Sequence, residues 1–338
     1  IITNMPTSYI NIDAINHINA ELSNYCNAAC PMCARFDHKQ NLIKALTNNS
    51  HTTLDDIKLR VGERVIKNLG TFRSCGNVGD GTMNPECLDI YEFVRKINKK
   101  TSLEMNTNGG ARNPIFFKEM AKLGVDMTFS IDGLKDTNHL YRRNVNWDKL
   151  MANVEAFVSA GGRAYWDYLI FKHNQHQVAE AEDISKKMGF VGFQRKSTTR
   201  WDDFDSDGNW IQRNKISVDG RWLEKPTEEL QEKYANEQDQ KHKEVQRKRI
   251  NCNSFYNGNV EIFIHANGNI SPCCWLGDLS IHESKNIIDD YKSVNIRHSS
   301  LEEILEGNYF NALWRGIKGE PQSYKLQTCE NVCGECHE

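Results

Sequence analysis

The residues best suited to chemistry are three cysteines in the stretch ELSNYCNAACPMCAR, where Cys26, Cys30 and Cys33 are separated by three and then two residues. Three thiolates this close, with no fourth beside them, can hold a zinc ion if a distant histidine completes the tetrahedron. They can also hold three irons of a [4Fe-4S] cube, for which four cysteines are the usual complement. The fourth iron then stays open to a ligand that is not protein. A second group, Cys252, Cys273, Cys274, Cys329, Cys333 and Cys336, gathers toward the C-terminus, with Cys75 and Cys87 between the two groups. Eleven cysteines is an odd number for a disulfide framework, and a chain without an export signal is kept reduced. Two separated thiolate groups therefore predict two metal centres, while Cys75 and Cys87 read as packed thiols that behave as small hydrophobes.

The rest of the composition narrows the partners. The chain has 338 residues and a formal net charge of -3, so no global field draws it to nucleic acid or to an anionic membrane. No apolar run approaches the roughly 20 residues that span a bilayer. The first residues also lack the basic and then apolar pattern of a secretory signal, which reads as a cytoplasmic protein.

The elements that must position the first thiols follow from hydrophobic periodicity. Strands are expected over His17–Ser23, Thr71–Cys75, Ser102–Asn106, Val125–Ser130, Ala164–Phe171 and Phe190–Lys196. Helices are expected between them over Thr53–Gly70, Pro85–Asn98, Asn113–Leu123, Trp147–Ala160 and His176–Met188. Strands alternating with helices predict an α/β fold with a parallel sheet that right-handed crossovers would curl into an open or closed barrel, with a partial (β/α)6 TIM-like barrel as the expected form. Active residues then belong at the strand C-terminal ends, and the three-cysteine loop directly follows the first strand.

That loop, with its place in a β/α array, resembles the radical S-adenosylmethionine (SAM) superfamily, in which the open iron chelates the amino and carboxylate groups of SAM. Later stretches support the resemblance in order. CGNVGDGTMNPE is similar to the family's Gly-Gly-Glu-Pro segment, which grips the SAM amino group, and it offers Asn77, Gly79 and Asp80, with Asp in place of Glu and no proline after it. MNTNGG resembles the Thr-Asn-Gly turn and supplies Thr107 and Asn108. FSIDGL resembles the Ser-x-Asp-Gly segment, implying that Ser130 and Asp132 line the methionine and ribose side of SAM. LYRRNVNW offers Arg142 or Arg143 to the SAM carboxylate, since a guanidinium pairs with a carboxylate through two parallel bonds. Asn174, just past the fifth strand, is placed to meet adenine or ribose.

At the other end, Cys252 is followed by fifteen residues, Gly268, four residues and Cys273. The stretch VEIFIHANGNISP alternates like two short strands around an Asn-Gly turn, and such a hairpin lets Cys252 and Cys273 share one metal. TCENVCGECHE returns with Cys329, Cys333 and Cys336, two of which complete the set. This region resembles the twitch or SPASM extension of one radical SAM branch, which implies an auxiliary [4Fe-4S] cluster in a small β-hairpin and helix domain. A structural zinc knot uses the same four thiolates. Cys274 reads as a packed thiol, because neighbouring side chains on a strand point to opposite faces.

These features divide the chain into a radical SAM barrel over 1–200, a linker over 201–250 and an auxiliary-cluster domain over 251–338. The linker holds a charged helix from about Thr227 to Arg249, after a stretch with Trp201, Trp210 and Trp222 that suggests a substrate lid. The resemblance implies an enzyme that cleaves SAM to a 5'-deoxyadenosyl radical, with an electron from a flavodoxin or ferredoxin, and abstracts hydrogen from a substrate C–H bond. A peptide or protein is the expected substrate. The alternatives are a dehydrogenase or epimerase of a small polar molecule such as a sugar, aminoglycoside or nucleoside, and, from another class, a non-catalytic zinc-binding module.

Overall fold

The computed structural model describes residues 10–36, 41–198, 200–204, 210–212, 215–218, 221–230, 249–250, 252, 254, 260–276, 287–288, 290–320 and 326–335. Six parallel strands form its centre: β1 (Ile15–Ala20), β2 (Thr71–Ser74), β3 (Ser102–Thr107), β4 (Val125–Ser130), β5 (Arg163–Leu169) and β6 (Gly192–Lys196). Each expected strand is present, with ends shifted by a few residues. The crossovers carry α1 (Gly62–Asn68), α2 (Cys87–Ile97), α3 (Pro114–Lys122), the short α4 (Asn138–Tyr141), α5 (Trp147–Ser159) and α6 (Val178–Met188).

Local chemistry explains where the helices begin and end. Asn113 caps α3 by accepting from the Phe116 N–H, and Pro114 at the first turn loses no helical bond. Asn146 caps α5 through the Lys149 N–H. Gly189 ends α6 with φ +87°, a left-handed geometry that costs glycine no Cβ clash. The expected helix at Thr53 is reshaped, because a π-helical stretch over Asp56–Val61 precedes α1.

The sheet is the expected partial barrel, open and lengthened at one edge by strands of the C-terminal extension. After two hairpins, β7 (Asp202–Phe204) with β8 (Trp210–Gln212) and β9 (Lys215–Val218) with β10 (Arg221–Glu224), comes β11 (Arg249–Ile250). Then β12 (Val260–Ile264) pairs in parallel with β1, and β13 (Ile270–Ser271) folds back on it. The result is an open eight-stranded sheet in the order β13-β12-β1-β2-β3-β4-β5-β6. The extension therefore shares the hydrogen-bond ladder of the barrel rather than leaning on it. α7 (Leu301–Glu306) follows with a Ser300/Glu303 capping box, then α8 (Asn308–Ile317), α9 (Gln327–Cys333) and β14 (Gly334–Glu335), which pairs with β11.

The core lies between sheet and helices. Phe129 of β4 is fully buried and meets Phe117 of α3 and Phe157 of α5 at ring distances of 5.9 and 5.7 Å. Trp166 is buried beside it with its indole N–H donated to the Ile131 carbonyl at 2.8 Å. Trp201 is also buried, edge-on to Phe171 at 6.0 Å, so its ring is part of the packed wall and is not free to act in a lid. Residues 231–248 of the expected charged helix, and the side chains of Trp210 and Trp222, lie outside the described residues. No described helix is long and apolar enough to cross a membrane.

A half-buried ion pair fastens the C-terminal region to the barrel. Arg297 donates to Asp56 at 2.6 Å, to the His51 carbonyl at 2.8 Å and to the Ala266 carbonyl at 3.3 Å. Burial alone would raise the Asp56 carboxyl, but hydrogen bonds from Arg297 and Thr53 outweigh it and hold the carboxyl below its ordinary range. A depressed carboxyl contributes stability above the unfolded value of about 3.9, and that contribution is lost as pH falls through the lower folded value. Urea unfolding from pH 6 to 3 is expected to show R297M about 1.5–3 kcal/mol less stable at the upper end, with a flatter loss below pH 4. Parallel curves for the two proteins would show that the pair contributes nothing.

Candidate active site

The site is built where the parallel strands end. β1 leads into buried Glu21, whose Oε2 accepts the N–H groups of Asn77 at 2.8 Å and Val78 at 3.2 Å in the loop after β2. Gly79 in that loop lies so close to the chain entering the cysteines that a Cβ would stand 1.8 Å from the Ser23 carbonyl oxygen. The Asp80 N–H then donates to the Tyr25 carbonyl at 2.9 Å.

Asp80 is buried, and its carboxylate accepts from the Thr82 N–H and hydroxyl, the Thr107 hydroxyl and the Asn108 N–H and amide, at 2.6 to 3.0 Å. Five donor groups saturate both oxygens. The sequence expectation gives Asp80 an ammonium to grip; in the structure this carboxylate already ties the loop after β2 to the end of β3.

Cys26, Cys30 and Cys33 border a cavity of about 470 Å³ at these strand ends. The Cys26 sulfur accepts from the Ala28 N–H at 3.3 Å and the Asn108 amide at 3.5 Å. The Cys30 sulfur accepts from the Arg142 guanidinium at 3.7 Å. Burial pushes the Cys26 thiol up to about 12 and the Cys30 thiol up to about 11, with Arg35 and Arg142 pulling the other way. Arg142 is itself held by Asp132 at 2.5 Å and lies over the Tyr141 ring, 5.5 Å from its centroid. Burial keeps the Asp132 carboxyl above its ordinary range despite that pairing.

Asn77, Gly79, Asp80, Thr107, Asn108, Ser130, Asp132 and Arg142 all line this cavity, as the motif order requires. Arg143 and Asn174 do not line it. The Arg143 carbonyl accepts from the Ala29 N–H at 3.1 Å. Asn174 is fully buried, accepting from the Phe171 N–H at 2.7 Å and donating to the Asp132 and Leu169 carbonyls at 2.9 Å, so its amide braces the turn after β5.

Several wall residues escaped the motifs. Asp167, Lys196, Ser197, Thr198 and Arg200 come from the ends of β5 and β6, with Lys196 paired to Asp167. The strand-end rule alone could have found them. Cys75 is not an ordinary core thiol: it lines the cavity, donates to Asn77 at 3.3 Å and shares a hydrogen bond with Cys274. That bond, against burial, draws the Cys274 thiol down to about 7. Cys87 is fully buried as expected.

The C-terminal thiols also come together. Pairing of β11 with β14 aligns Ile250 with Gly334 and so carries Cys252 to Cys333. Their shared hydrogen bond, then burial, hold the Cys252 thiol far above its ordinary range. Burial pushes Cys273 up to about 12, and the Cys329 sulfur is among the charges it feels. Cys336 lies outside the described residues. Cys274 shares its hydrogen bond with Cys75; β13 ends at Ser271 and Cys274 begins a 3-10 turn, so the alternation expected of a strand does not apply to it.

The donor sets fit iron-sulfur clusters. Cys26, Cys30 and Cys33 border a space wide enough for a cube, and Cys252, Cys273 and Cys333 lie close enough to feel one another. Thiolate ligands suit iron-sulfur sites.

Residues 20–183 match the model of the radical SAM superfamily, and residues 252–337 match the SPASM iron-sulfur cluster-binding domain. The chain belongs to the radical SAM superfamily. As a radical SAM protein with a SPASM domain, it has for cofactors a [4Fe-4S] cluster used with SAM, and auxiliary iron-sulfur. Among solved structures it is similar to Streptococcus suis SuiB, at 14% identity and TM-score 0.58 over 95% of this chain and 72% of that one. It is also similar to anSMEcpe with bound AdoMet, at 15% identity and TM-score 0.53 over 88% of this chain and 81% of that one. At these identities the likeness is one of fold. No curated protein matches the sequence.

Two expectations follow for the radical SAM site. Replacing Cys26, Cys30 and Cys33 together by alanine should lower anaerobically reconstituted iron from about eight to about four per chain, measured by elemental analysis. In equilibrium dialysis R142Q should weaken SAM binding about tenfold or more, as loss of a charge-assisted bond would, and R143Q should weaken it less.

Proposed function

We propose that this radical SAM enzyme modifies a peptide or protein by removing a hydrogen atom from one of its C–H bonds. The observation that carries the reading is the composition of the cavity mouth. Trp275, 61% exposed, stands there after β13 at one edge of the sheet, while Lys196, Ser197, Thr198 and Arg200 stand at the end of β6, the opposite edge. An exposed aromatic on one side and hydrogen-bonding side chains on the other suit an extended polypeptide segment. Structures similar in fold give support: SuiB has been seen with its precursor peptide SuiA, and anSMEcpe with AdoMet and a peptide.

Cys26, Cys30 and Cys33 would hold the [4Fe-4S] cluster, which with SAM supplies a 5'-deoxyadenosyl radical, the electron coming from a flavodoxin- or ferredoxin-like donor. The chain's own work is orientation. Asp132 and Tyr141 fix the Arg142 guanidinium, which can then receive a carboxylate in one geometry. Asp80 locks the loops after β2 and β3 to each other, so Asn77, Thr107 and Asn108 present fixed donors and acceptors. Behind Arg142, the tilted rings of Tyr141 and Phe171 pack at 4.6 Å and Trp201 closes on Phe171, which keeps water from that wall. Cys252 and Cys273, with two of Cys329, Cys333 and Cys336, would hold auxiliary iron-sulfur.

The reading is tested by anaerobic turnover with SAM, reductant and candidate peptides deuterated at side-chain and α carbons. Deuterium is expected in 5'-deoxyadenosine, and W275A is expected to weaken peptide binding tenfold or more, the scale of an interface hot spot. Deuterium arriving from small polar metabolites and from no peptide would replace this reading with a small-molecule dehydrogenase or epimerase.

A further inference from the structure

Among the described residues, several cations that are wholly or partly buried have a carboxylate beside them. Arg142 meets Asp132, Lys196 meets Asp167 and Arg297 meets Asp56. Arg35, two residues beyond Cys33, is only 5% exposed, yet among the described residues it pairs with no carboxylate. Its Nε is buried without an acceptor, and its Nη1 makes one long bond, to the Ala28 carbonyl at 3.5 Å. The guanidinium also sits 5.6 Å from the Phe36 ring centroid. A charge taken out of water with so little in return is unfavourable unless an opposite charge lies beside it.

The surroundings say where that charge belongs. Arg35 lines the same cavity as the three thiols. The residue whose carbonyl it touches, Ala28, turns its own N–H onto the Cys26 sulfur at 3.3 Å. A cube held by three thiolates is net negative, and becomes more so on reduction. We infer that Arg35 is the counter-charge of the cluster held by Cys26, Cys30 and Cys33, stabilising its reduced state and so raising its reduction potential. The inference rests on the cluster at these thiols and is independent of the substrate. Arg142 and Arg35 then divide the work: the first is pinned by Asp132 and oriented, while the second has spare hydrogen-bonding capacity turned toward the sulfur loop. Hydrogen bonds and nearby charge are among the determinants of such potentials.

The test compares R35Q and R35K with the wild-type holoprotein. In a potentiometric titration followed by electron paramagnetic resonance, R35Q should move the potential of the SAM-responsive cluster to more negative values, and R35K should stay near the wild type. Metal-free R35Q should melt at a higher temperature than metal-free wild type, because a buried unpaired charge is gone, while its cluster should be lost to a chelator severalfold faster. An unmoved potential in R35Q with its iron intact would overturn the inference. So would a metal-free R35Q that melts lower, which marks a packing role, or an effect confined to substrate KM, which marks an anion subsite for substrate. If the three cysteines hold no iron in the wild type, the cluster reading itself has failed, and iron analysis shows that before any potential is measured.

Discussion

Buried carboxylates at the strand ends hold this site together. In a twisted parallel sheet the ladder of backbone bonds stops at the C-terminal edge, and the loops beyond it have unpaired N–H groups. Glu21 after β1 takes those of Asn77 and Val78; Asp80 after β2 takes that of Asn108; Asp132 after β4 takes that of Leu169 at 2.7 Å. Each acidic side chain reaches from one strand exit to a neighbouring one. Because ionised acceptors form stronger bonds than neutral ones, successive loops are fixed to one another rather than merely packed.

The arrangement has consequences for the cavity. A buried carboxylate saturated by donors, such as Asp80, has no capacity left for a ligand, so its contribution to binding runs through the residues it positions. Arg142 is caught between Asp132 and the Cys30 sulfur, which fixes a guanidinium at the cavity wall without freezing its remaining N–H groups. The shared ladder of β12 and β1, reinforced by Arg297 on Asp56, carries the same rigidity into the C-terminal region. Trp275, Cys274 and the thiols beyond them are therefore held in register with the barrel.

Much of this was legible in the chain itself. The β/α alternation could be read because strands such as β3, β4 and β5 alternate buried with less buried residues and are followed by helices, and the three-cysteine loop fell directly after the first strand. The parallel pairing of β12 with β1 was not legible, since edge pairing between segments more than 200 residues apart leaves no local period. Arg35 and Cys75 were missed for a related reason: a lone arginine or cysteine acquires meaning only from what packs around it. The hairpin of β9 and β10 is a different case. Asp219-Gly220 between KISV and RWLE is a strong turn signal, and the polar character of its surroundings concealed it. That Arg142 lines the cavity and Arg143 does not needed the fold, because adjacent residues leaving a short helix face different ways.

The central claim is that the cluster bound by Cys26, Cys30 and Cys33 keeps one iron free for SAM. Electron paramagnetic resonance of the reduced holoprotein, recorded with and without SAM, tests it most directly. The account predicts a change in one cluster signal on adding SAM, absent when these three cysteines are replaced. A spectrum indifferent to SAM, in a protein shown to contain its full iron, would contradict it.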